Sequence, residues 1–183
     1  MRDQNPTFDR RRLLSGSIAA AVGGLVSAGA PPARTAQEDR RISFQRDVSV
    51  RHEVDVFVAG GGPAGVAAAV SAARQGARVF LAERNTCLGG MGTAGMLPLF
   101  MTFSDGVRVL AAGVGEEILT RLRDAGGTGP DSGLTIRAET LKRVYDELLL
   151  GADVEFTFDT SLVAVEKNAA EVTHAVLAAK SGL

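Results

Sequence analysis

Apolar and polar residues follow one another in blocks whose lengths predict a strand, a helix and a second strand. The apolar run 54–59 has the length and composition of a buried parallel strand. The alanine-rich stretch 63–75 is a strong helix former, and Gly76 occupies the position where helices commonly end. A second apolar run, 78–82, predicts the next strand. This order predicts a βαβ unit, in which the two strands lie parallel.

The second half of the chain carries two helical patterns followed by three strands. Residues 115–126 and 138–150 each repeat apolar side chains three or four positions apart, which predicts amphipathic helices. The run 151–158 predicts a third strand beside the first two. Residues 162–166 and 172–179 predict antiparallel strands of a meander, joined by a polar turn. The predicted fold class is α/β, a Rossmann-like doubly wound parallel sheet with an antiparallel β-meander.

A glycine-rich turn joins the first predicted strand to the first helix. It satisfies the pattern G-x-G-x-x-G, in which the first glycine permits a tight turn and the second lets a pyrophosphate approach the backbone. The third glycine lets the helix pack closely on the strand. Phosphates would bind to backbone N–H groups at the helix N-terminus, where the helix dipole favours negative charge. The predicted cofactor-binding residues of this turn are Gly60, Gly61, Gly62, Pro63, Ala64 and Gly65.

An acidic residue, Glu83, ends the second predicted strand, close to the offset of about 20 residues from the turn at which an acid binds an adenosine ribose. The strand, the turn, the small-residue helix, the second strand and the acid all occupy the expected positions, so we predict dinucleotide binding. Glu83 disfavours the 2′-phosphate of NADP. It does not separate NAD from FAD.

The segment after Glu83 identifies the dinucleotide, because it is again rich in glycine, whereas a nicotinamide domain usually proceeds to its next helix. At Asp55–Gly65, Glu83-Arg84, Leu88–Met91 and Thr93–Gly95 the chain resembles the FAD-dependent oxidoreductase family of the two-dinucleotide-fold flavoproteins. The resemblance extends over about residues 54–183. It implies that FAD is the cofactor and that the protein is an oxidoreductase.

The resemblance also implies roles for individual residues. Glu83 would hold the ribose of FAD, Arg84 would lie at the adenosine end, and the backbone of Val163 would lie near the adenine. The residues implied along the path from the pyrophosphate to the flavin are Gly89, Gly90 and Thr93. In the family a further strand with a second Gly-Asp element follows the meander, and then a substrate domain. We therefore expect a domain, 54–183, that is incomplete at its C-terminal end. An NAD(H)-binding Rossmann domain and a truncated, non-catalytic nucleotide-binding remnant are the alternatives.

The first 36 residues have the composition of an export signal. Arg10-Arg11 precede an uncharged Gly/Ala-rich stretch, 13–33, and this arrangement resembles a twin-arginine signal, although Asp9 and Leu13 depart from its usual pattern. Twin-arginine export carries folded proteins, commonly with their cofactor bound. A general secretory signal and an uncleaved anchor are the alternatives.

These features predict an export signal at 1–36, a polar lead-in at 37–53 and an exported protein, periplasmic or extracytoplasmic, with the export machinery as a partner. Net charge is +3 over residues 1–36 and −4 over the remainder. That balance excludes a basic nucleic-acid platform. We expect a small-molecule substrate, which the sequence does not identify.

Few residues are candidates for other chemistry. One cysteine, Cys87, and two histidines, His52 and His174, allow neither a disulfide within the chain nor a Cys/His metal cluster. We predict that Cys87 is a small loop residue, that His52 belongs to a solvated linker and that His174 packs or lies on the surface of the meander. Tyr145 is predicted to pack in the core. The sequence identifies no catalytic residue, and a flavin carries its own hydride chemistry.

Overall fold

The computed structural model describes residues 42–130 and 134–182. The chain divides into two units, Met1–Gln45 and Arg46–Leu183. In the first unit only residues 42–45 are described, and they form neither helix nor strand. The predicted export signal and the first five residues of the lead-in lie outside the described residues. Every element reported below belongs to the second unit.

Three short parallel strands form the centre of the second unit. Strand β1 (Val56–Ala59) pairs with β2 (Val79–Ala82), and β2 pairs with β3 (Glu155–Thr157). Strand β2 therefore lies in the middle, and all four of its residues are buried, as expected for an inner strand of a parallel sheet. The prediction of a third strand beside the first two is confirmed.

Three helices pack against one another: α1 (Pro63–Ala73), α2 (Val114–Asp124) and α3 (Ala138–Gly151). Of these, α1 and α3 lie directly against the strands, on one face of the sheet. The apolar faces of the three helices and alternate residues of the strands form one core, as the helical spacing predicted. Tyr145 is fully buried in this core, which confirms its predicted packing role. Among the described residues, no helix has the length and apolarity needed to cross a membrane. Core residues that are at most 1% exposed include Val66, Val70, Leu81, Leu122, Leu141, Leu148 and Leu149.

Aromatic rings lie on the other face of the sheet, because successive side chains of a strand point to opposite faces. Phe57 and Phe80 are opposite each other in the register, with ring centroids 6.4 Å apart. His52 stacks on Phe80 at 4.2 Å, and its Nδ1 lies 3.1 Å from the Glu155 carboxylate. The prediction of a solvated linker at His52 is therefore wrong in one respect. The residue is exposed, but its ring covers an aromatic side chain of the sheet.

The predicted strand 151–158 begins too early. Helix α3 continues through Gly151, and the chain then turns through Asp153, whose φ of +58° lies in the left-handed region. Only Glu155–Thr157 form the strand. The apolar pattern did not show this boundary because Val154, between the turn and the strand, is buried in the core like a strand residue.

A two-stranded antiparallel hairpin follows the sheet. It consists of β4 (Ser161–Asn168) and β5 (Glu171–Ala178). Strand β4 is three residues longer than predicted and β5 begins and ends one residue earlier than predicted, so only two residues remain in the turn. Most of the hairpin is exposed, and His174 lies on its surface opposite Glu166. His174 was predicted either to pack in the meander or to lie on its surface, and the structure agrees with the second position.

Candidate cofactor-binding site

The turn after β1 begins with a glycine that has a left-handed backbone. Gly60 has a φ of +105°, which side chains rarely adopt, and its N–H donates to the carbonyl of Ala82 at 2.8 Å. Gly62 is the residue before α1, and Pro63 is the first helical residue. Proline is tolerated there because the first N–H groups of a helix have no partner within the helix. Pro63 and Ala64 are exposed, so the N-terminus of α1 is open to solvent.

Gly62 and Gly65 differ in what surrounds them. A Cβ atom on Gly65 would lie 1.9 Å from the carbonyl oxygen of Gly60, so only glycine allows α1 to pack this closely on the turn. A Cβ atom on Gly62 would meet no atom within 4 Å. The space beside Gly62 is thus open, and it adjoins the N–H groups that begin α1. These two properties fit a diphosphate, which needs close backbone approach and hydrogen-bond donors.

The carboxylate of Glu83 lies beneath this turn and is held by three hydrogen bonds. Glu83 is only 4% exposed. Its Oε2 accepts the N–H of Gly61 at 2.6 Å. Its Oε1 accepts the backbone N–H of Asn85 at 2.6 Å and the side-chain amide of Asn85 at 2.7 Å. The predicted ribose acid is therefore brought to the glycine turn, and Asn85 is a site residue that the sequence reasoning missed.

Gly61 is also crowded by side chains, although the fingerprint allows any residue there. A Cβ atom on Gly61 would lie 2.3 Å from the Leu88 side chain and 3.3 Å from Oε2 of Glu83. Its carbonyl accepts the N–H of Gly89 at 2.7 Å. Gly61 thus joins the first glycine turn to the second glycine-rich segment.

The second segment reaches the turn at Gly90. A Cβ atom on Gly90 would lie 3.4 Å from the Cα of Gly62, so the two segments approach each other at these two glycines. Gly90 is also the first residue of a single 3₁₀ turn, Gly90–Gly92. The structure thus brings together the turn, Glu83 and Gly90, all of which were predicted to belong to one site.

Gly89 and Thr93 are buried within the second segment. Thr93 is 3% exposed, and its hydroxyl donates to the carbonyl of Leu88 at 2.5 Å. A Cβ atom on Gly89 would lie 2.5 Å from the Thr93 side chain and 2.8 Å from the ring of Tyr145. These contacts shape the segment. The implied positions of Gly89 and Thr93 on the path to a flavin stay predictions.

The remaining two predicted residues lie on the surface of the protein. Arg84 is exposed. Val163 is half-exposed, at 54%, and lies at a register shift in the hairpin: Leu162 is opposite Leu177 and Ala164 is opposite Val176, so Val163 has no residue opposite it. Such a bulge leaves the backbone of the extra residue outside the ladder. The hairpin is joined to the site where the N–H of Thr160 donates to the carbonyl of Glu83 at 3.0 Å.

Two ionisable groups below the site have shifted pKa values. Burial raises the pKa of Tyr145 to about 12, and its hydroxyl has no hydrogen-bond partner among the described residues. Partial burial and the neighbouring Glu147 raise the pKa of Asp146. Asp146 and Cys87 both line an open cavity of about 400 Å³. Cys87 is half-buried, and its Sγ lies 3.9 Å from the hydroxyl oxygen of Thr93.

Comparison of the sequence with known families finds one match over most of the chain. The model of the family described as FAD dependent oxidoreductase matches residues 55–183. No curated protein sequence matches the chain.

The solved structures to which this one is similar are distant in sequence. A mutant of the flavin-dependent brominase Bmp2 is 18% identical with a TM-score of 0.51, over 70% of this chain and 35% of that one. AlpK is 17% identical with a TM-score of 0.50, over 73% and 29%. THI4 from Thermovibrio ammonificans is 20% identical with a TM-score of 0.46, over 68% and 47%. The chain thus spans less than half the length of each of these proteins.

Proposed function

The chain belongs to the FAD dependent oxidoreductase family, and from that premise we propose that it is the FAD-binding part of an exported flavin-dependent oxidoreductase. FAD is its cofactor, which decides between the FAD and NAD alternatives. The proposed reaction is hydride transfer between FAD and an organic substrate that is not yet identified. The observation that carries the proposal is the open space at Gly62, beside the N-terminus of α1 and next to the buried carboxylate of Glu83.

The glycine turn would hold the diphosphate of FAD. Backbone N–H groups at the start of α1 would donate to the phosphate oxygens, and the helix dipole would add a favourable field there. Because Gly62 has no side chain and Gly90 approaches it, the phosphates could reach the backbone from both glycine segments. Neither segment brings a positive side chain to this point, so the binding would depend on backbone donors.

The adenosine end of FAD would lie toward β3 and the hairpin. Glu83 would accept a ribose hydroxyl, since its carboxylate ends β2 beside the turn. The unpaired backbone of Val163 would offer a donor and an acceptor to the adenine. Exposed Arg84 would contact the same end. The resemblance to the family supports all three roles, and the position of Glu83 beside the turn supports the first of them.

Bound FAD supplies the hydride-accepting ring, so the chain's own residues need only bind it and orient it. Among the described residues, the two histidines lie away from the glycine turn, one against Phe80 and one on the hairpin surface. Tyr145 is fully buried and therefore cannot contact a substrate. Residues that bind the substrate and exchange protons with it are proposed to come from parts of the protein beyond this domain.

Export is the second part of the proposal and rests on the paired arginines before the uncharged stretch, which lie outside the described residues. It is tested by expressing the full chain and measuring where it accumulates and whether FAD accompanies it. We expect the protein in the extracytoplasmic fraction with FAD bound. Replacing Arg10 and Arg11 with Lys should retain it in the cytoplasm, still with FAD, because the cofactor site is unchanged.

The matched control for this experiment is Arg12→Lys, which changes the adjacent arginine but keeps the pair. Normal export of the double-lysine variant would contradict the twin-arginine assignment. Folded protein that contains no flavin and takes up none on reconstitution would contradict the proposed FAD-binding function.

A further inference from the structure

Two of the three hydrogen bonds to the Glu83 carboxylate come from a single residue, Asn85. Its backbone N–H and its side-chain amide both donate to Oε1, at 2.6 and 2.7 Å. The third bond, from Gly61, goes to Oε2 at 2.6 Å. The carboxylate is buried, so its orientation depends on these three donors rather than on water.

The arrangement leaves the two carboxylate oxygens unequal. An ionised carboxylate has about four lone-pair positions, two on each oxygen. Asn85 fills both positions on Oε1, whereas Gly61 fills only one on Oε2. One acceptor position therefore remains, and it is on the oxygen that faces the glycine turn.

We propose that Asn85 is a positioning residue of the cofactor site, which fills Oε1 so that Glu83 offers a single acceptor position, on Oε2, to one hydroxyl of the adenosine ribose. This inference rests on the proposed binding of FAD at the glycine turn. A carboxylate with both oxygens free could accept both hydroxyls of a ribose. With Asn85 in place, Glu83 distinguishes the two hydroxyls.

The side chain of Asn85 can be tested apart from the loop that carries it. Its backbone N–H would still donate to Glu83 after truncation to alanine. In the natural protein its backbone carbonyl accepts the N–H of Asp159 at 3.2 Å, and this bond would also remain in the variant. Asn85 is half-exposed, so the truncation leaves no large cavity. Asn85→Ala should therefore keep the local fold and remove one donor from Oε1.

The experiment measures dissociation constants of the full chain for FAD and for two FAD analogues that lack the 2′- or the 3′-hydroxyl of the adenosine ribose. For the natural sequence, we expect one analogue to bind about tenfold more weakly than FAD and the other to bind about as well as FAD, since one hydroxyl is bonded to a charged acceptor. In Asn85→Ala, FAD should bind several-fold more weakly, and the ratio between the two analogues should shrink.

Two variants complete the test. Asn85→Asp keeps the size of the side chain but replaces the donor with a second carboxylate beside Glu83, so it should weaken FAD binding more than Asn85→Ala does. Asn168→Ala removes an asparagine at the exposed end of β4 and should leave all three dissociation constants unchanged. Unfolding midpoints without FAD would show whether each variant is folded. If Asn85→Ala does not fold, Asn85→Leu takes its place, because leucine has about the size of asparagine but no side-chain donor. It should shrink the analogue ratio as Asn85→Ala does.

Equal losses for both analogues with the natural sequence would overturn the single-acceptor inference. A variant at Asn85 that binds FAD more weakly but keeps the full ratio would also overturn it, because a merely structural residue would act that way. In both cases FAD binding itself would stand. Absence of FAD binding by the natural sequence would instead overturn the proposed function, and the inference with it.

Discussion

The turn 60–65 and the segment 89–95 are both rich in glycine, yet their glycines have different surroundings. In the turn, Gly62 faces open space, while Gly65 is in close contact with the backbone. In the segment, the position of Gly89 is enclosed by Thr93 and Tyr145. The turn thus combines a packing glycine with one that leaves room for a ligand. In the segment, glycine mainly allows close packing, although Gly89 is hydrogen-bonded to the turn and Gly90 approaches it.

This difference shows that the number of glycines in a segment does not indicate how many of them contact a cofactor. A glycine can be required by a neighbouring atom of the protein or by space for a ligand. The two requirements predict different losses after substitution: stability in the first case and affinity in the second. Variants at these positions therefore test the comparison directly.

The largest effect is expected for Gly65→Ala. The new Cβ would lie 1.9 Å from the Gly60 carbonyl oxygen, which belongs to the backbone and cannot move aside without disturbing the turn. We expect the free energy of unfolding to fall by about 3 kcal/mol or more, measured by urea denaturation without FAD. Gly151→Ala is the matched control, since Gly151 ends α3 with open space around it. The control should be neutral or slightly stabilising. Equal stability of the two variants would refute the packing role of Gly65.

Gly89→Ala should have the next largest effect. Its φ of +102° disfavours any side chain, and the added atom would crowd Thr93 and Tyr145. We expect a loss of about 2 kcal/mol in the free energy of unfolding, from backbone strain and overpacking together. The same denaturation experiment without FAD measures it. If this variant were fully stable but could not bind FAD, Gly89 would belong to the ligand surface rather than to the packing of the segment.

Gly62→Ala should separate affinity from stability. The backbone at Gly62 has a φ of −67° and a ψ of 176°, which alanine adopts readily, and no atom lies within 4 Å of the added Cβ. We expect an unfolding midpoint close to that of the natural sequence without FAD. Because the methyl group would occupy the approach of the diphosphate, FAD should bind at least about tenfold more weakly. A calorimetric titration measures this change. Unchanged affinity would show that the diphosphate lies elsewhere.

The smallest effect on stability at neutral pH is expected for Tyr145→Phe. The ring of Tyr145 packs against Gly89 of the second segment. The substitution removes a buried hydroxyl that has no partner among the described residues, so the free energy of unfolding should change by less than about 1 kcal/mol. Above pH 10 the two proteins should diverge. The folded state keeps the phenol neutral up to a pKa of about 12, whereas the unfolded state ionises near 10.

Between these two pH values the unfolded state of the natural sequence binds fewer protons than the folded state. Its free energy of unfolding therefore falls as the pH rises, and the full stabilisation is present only below about pH 10. Tyr145→Phe should lack this part of the decline. Tyr145 is the single tyrosine and the chain has no tryptophan, so the ultraviolet absorbance of tyrosinate reports its pKa directly. An ionisation near pH 10 in the folded protein would contradict its burial.

Much of the turn could be predicted from the sequence, because its features are local. The order of strand, glycine turn, helix, strand and acid identifies the βαβ unit, and Glu83 lies where the offset from Gly60 places it. The helices follow from their apolar spacing. These elements are determined by residues that lie close together in the sequence, so the sequence alone is enough to predict them.

The features that the sequence did not show arise from contacts between distant residues. Gly61 is crowded because the Leu88 side chain lies against it, and the fingerprint contains no signal for that contact. Asn85 is an ordinary polar residue in sequence, and only the fold directs its amide to Glu83. The unpaired position of Val163 depends on the register of a hairpin whose apolar pattern shows no interruption. In each case tertiary packing decides the role.

The central claim is that the glycine turn of this chain binds FAD. The most direct measurement is a calorimetric titration of the full folded chain with FAD, run in parallel on Gly62→Ala, with NAD as a competitor in a second titration. We expect one FAD bound per chain, weaker binding by Gly62→Ala at unchanged stability, and no displacement by NAD. Folded protein that binds no FAD, or that binds NAD in its place, would contradict the account.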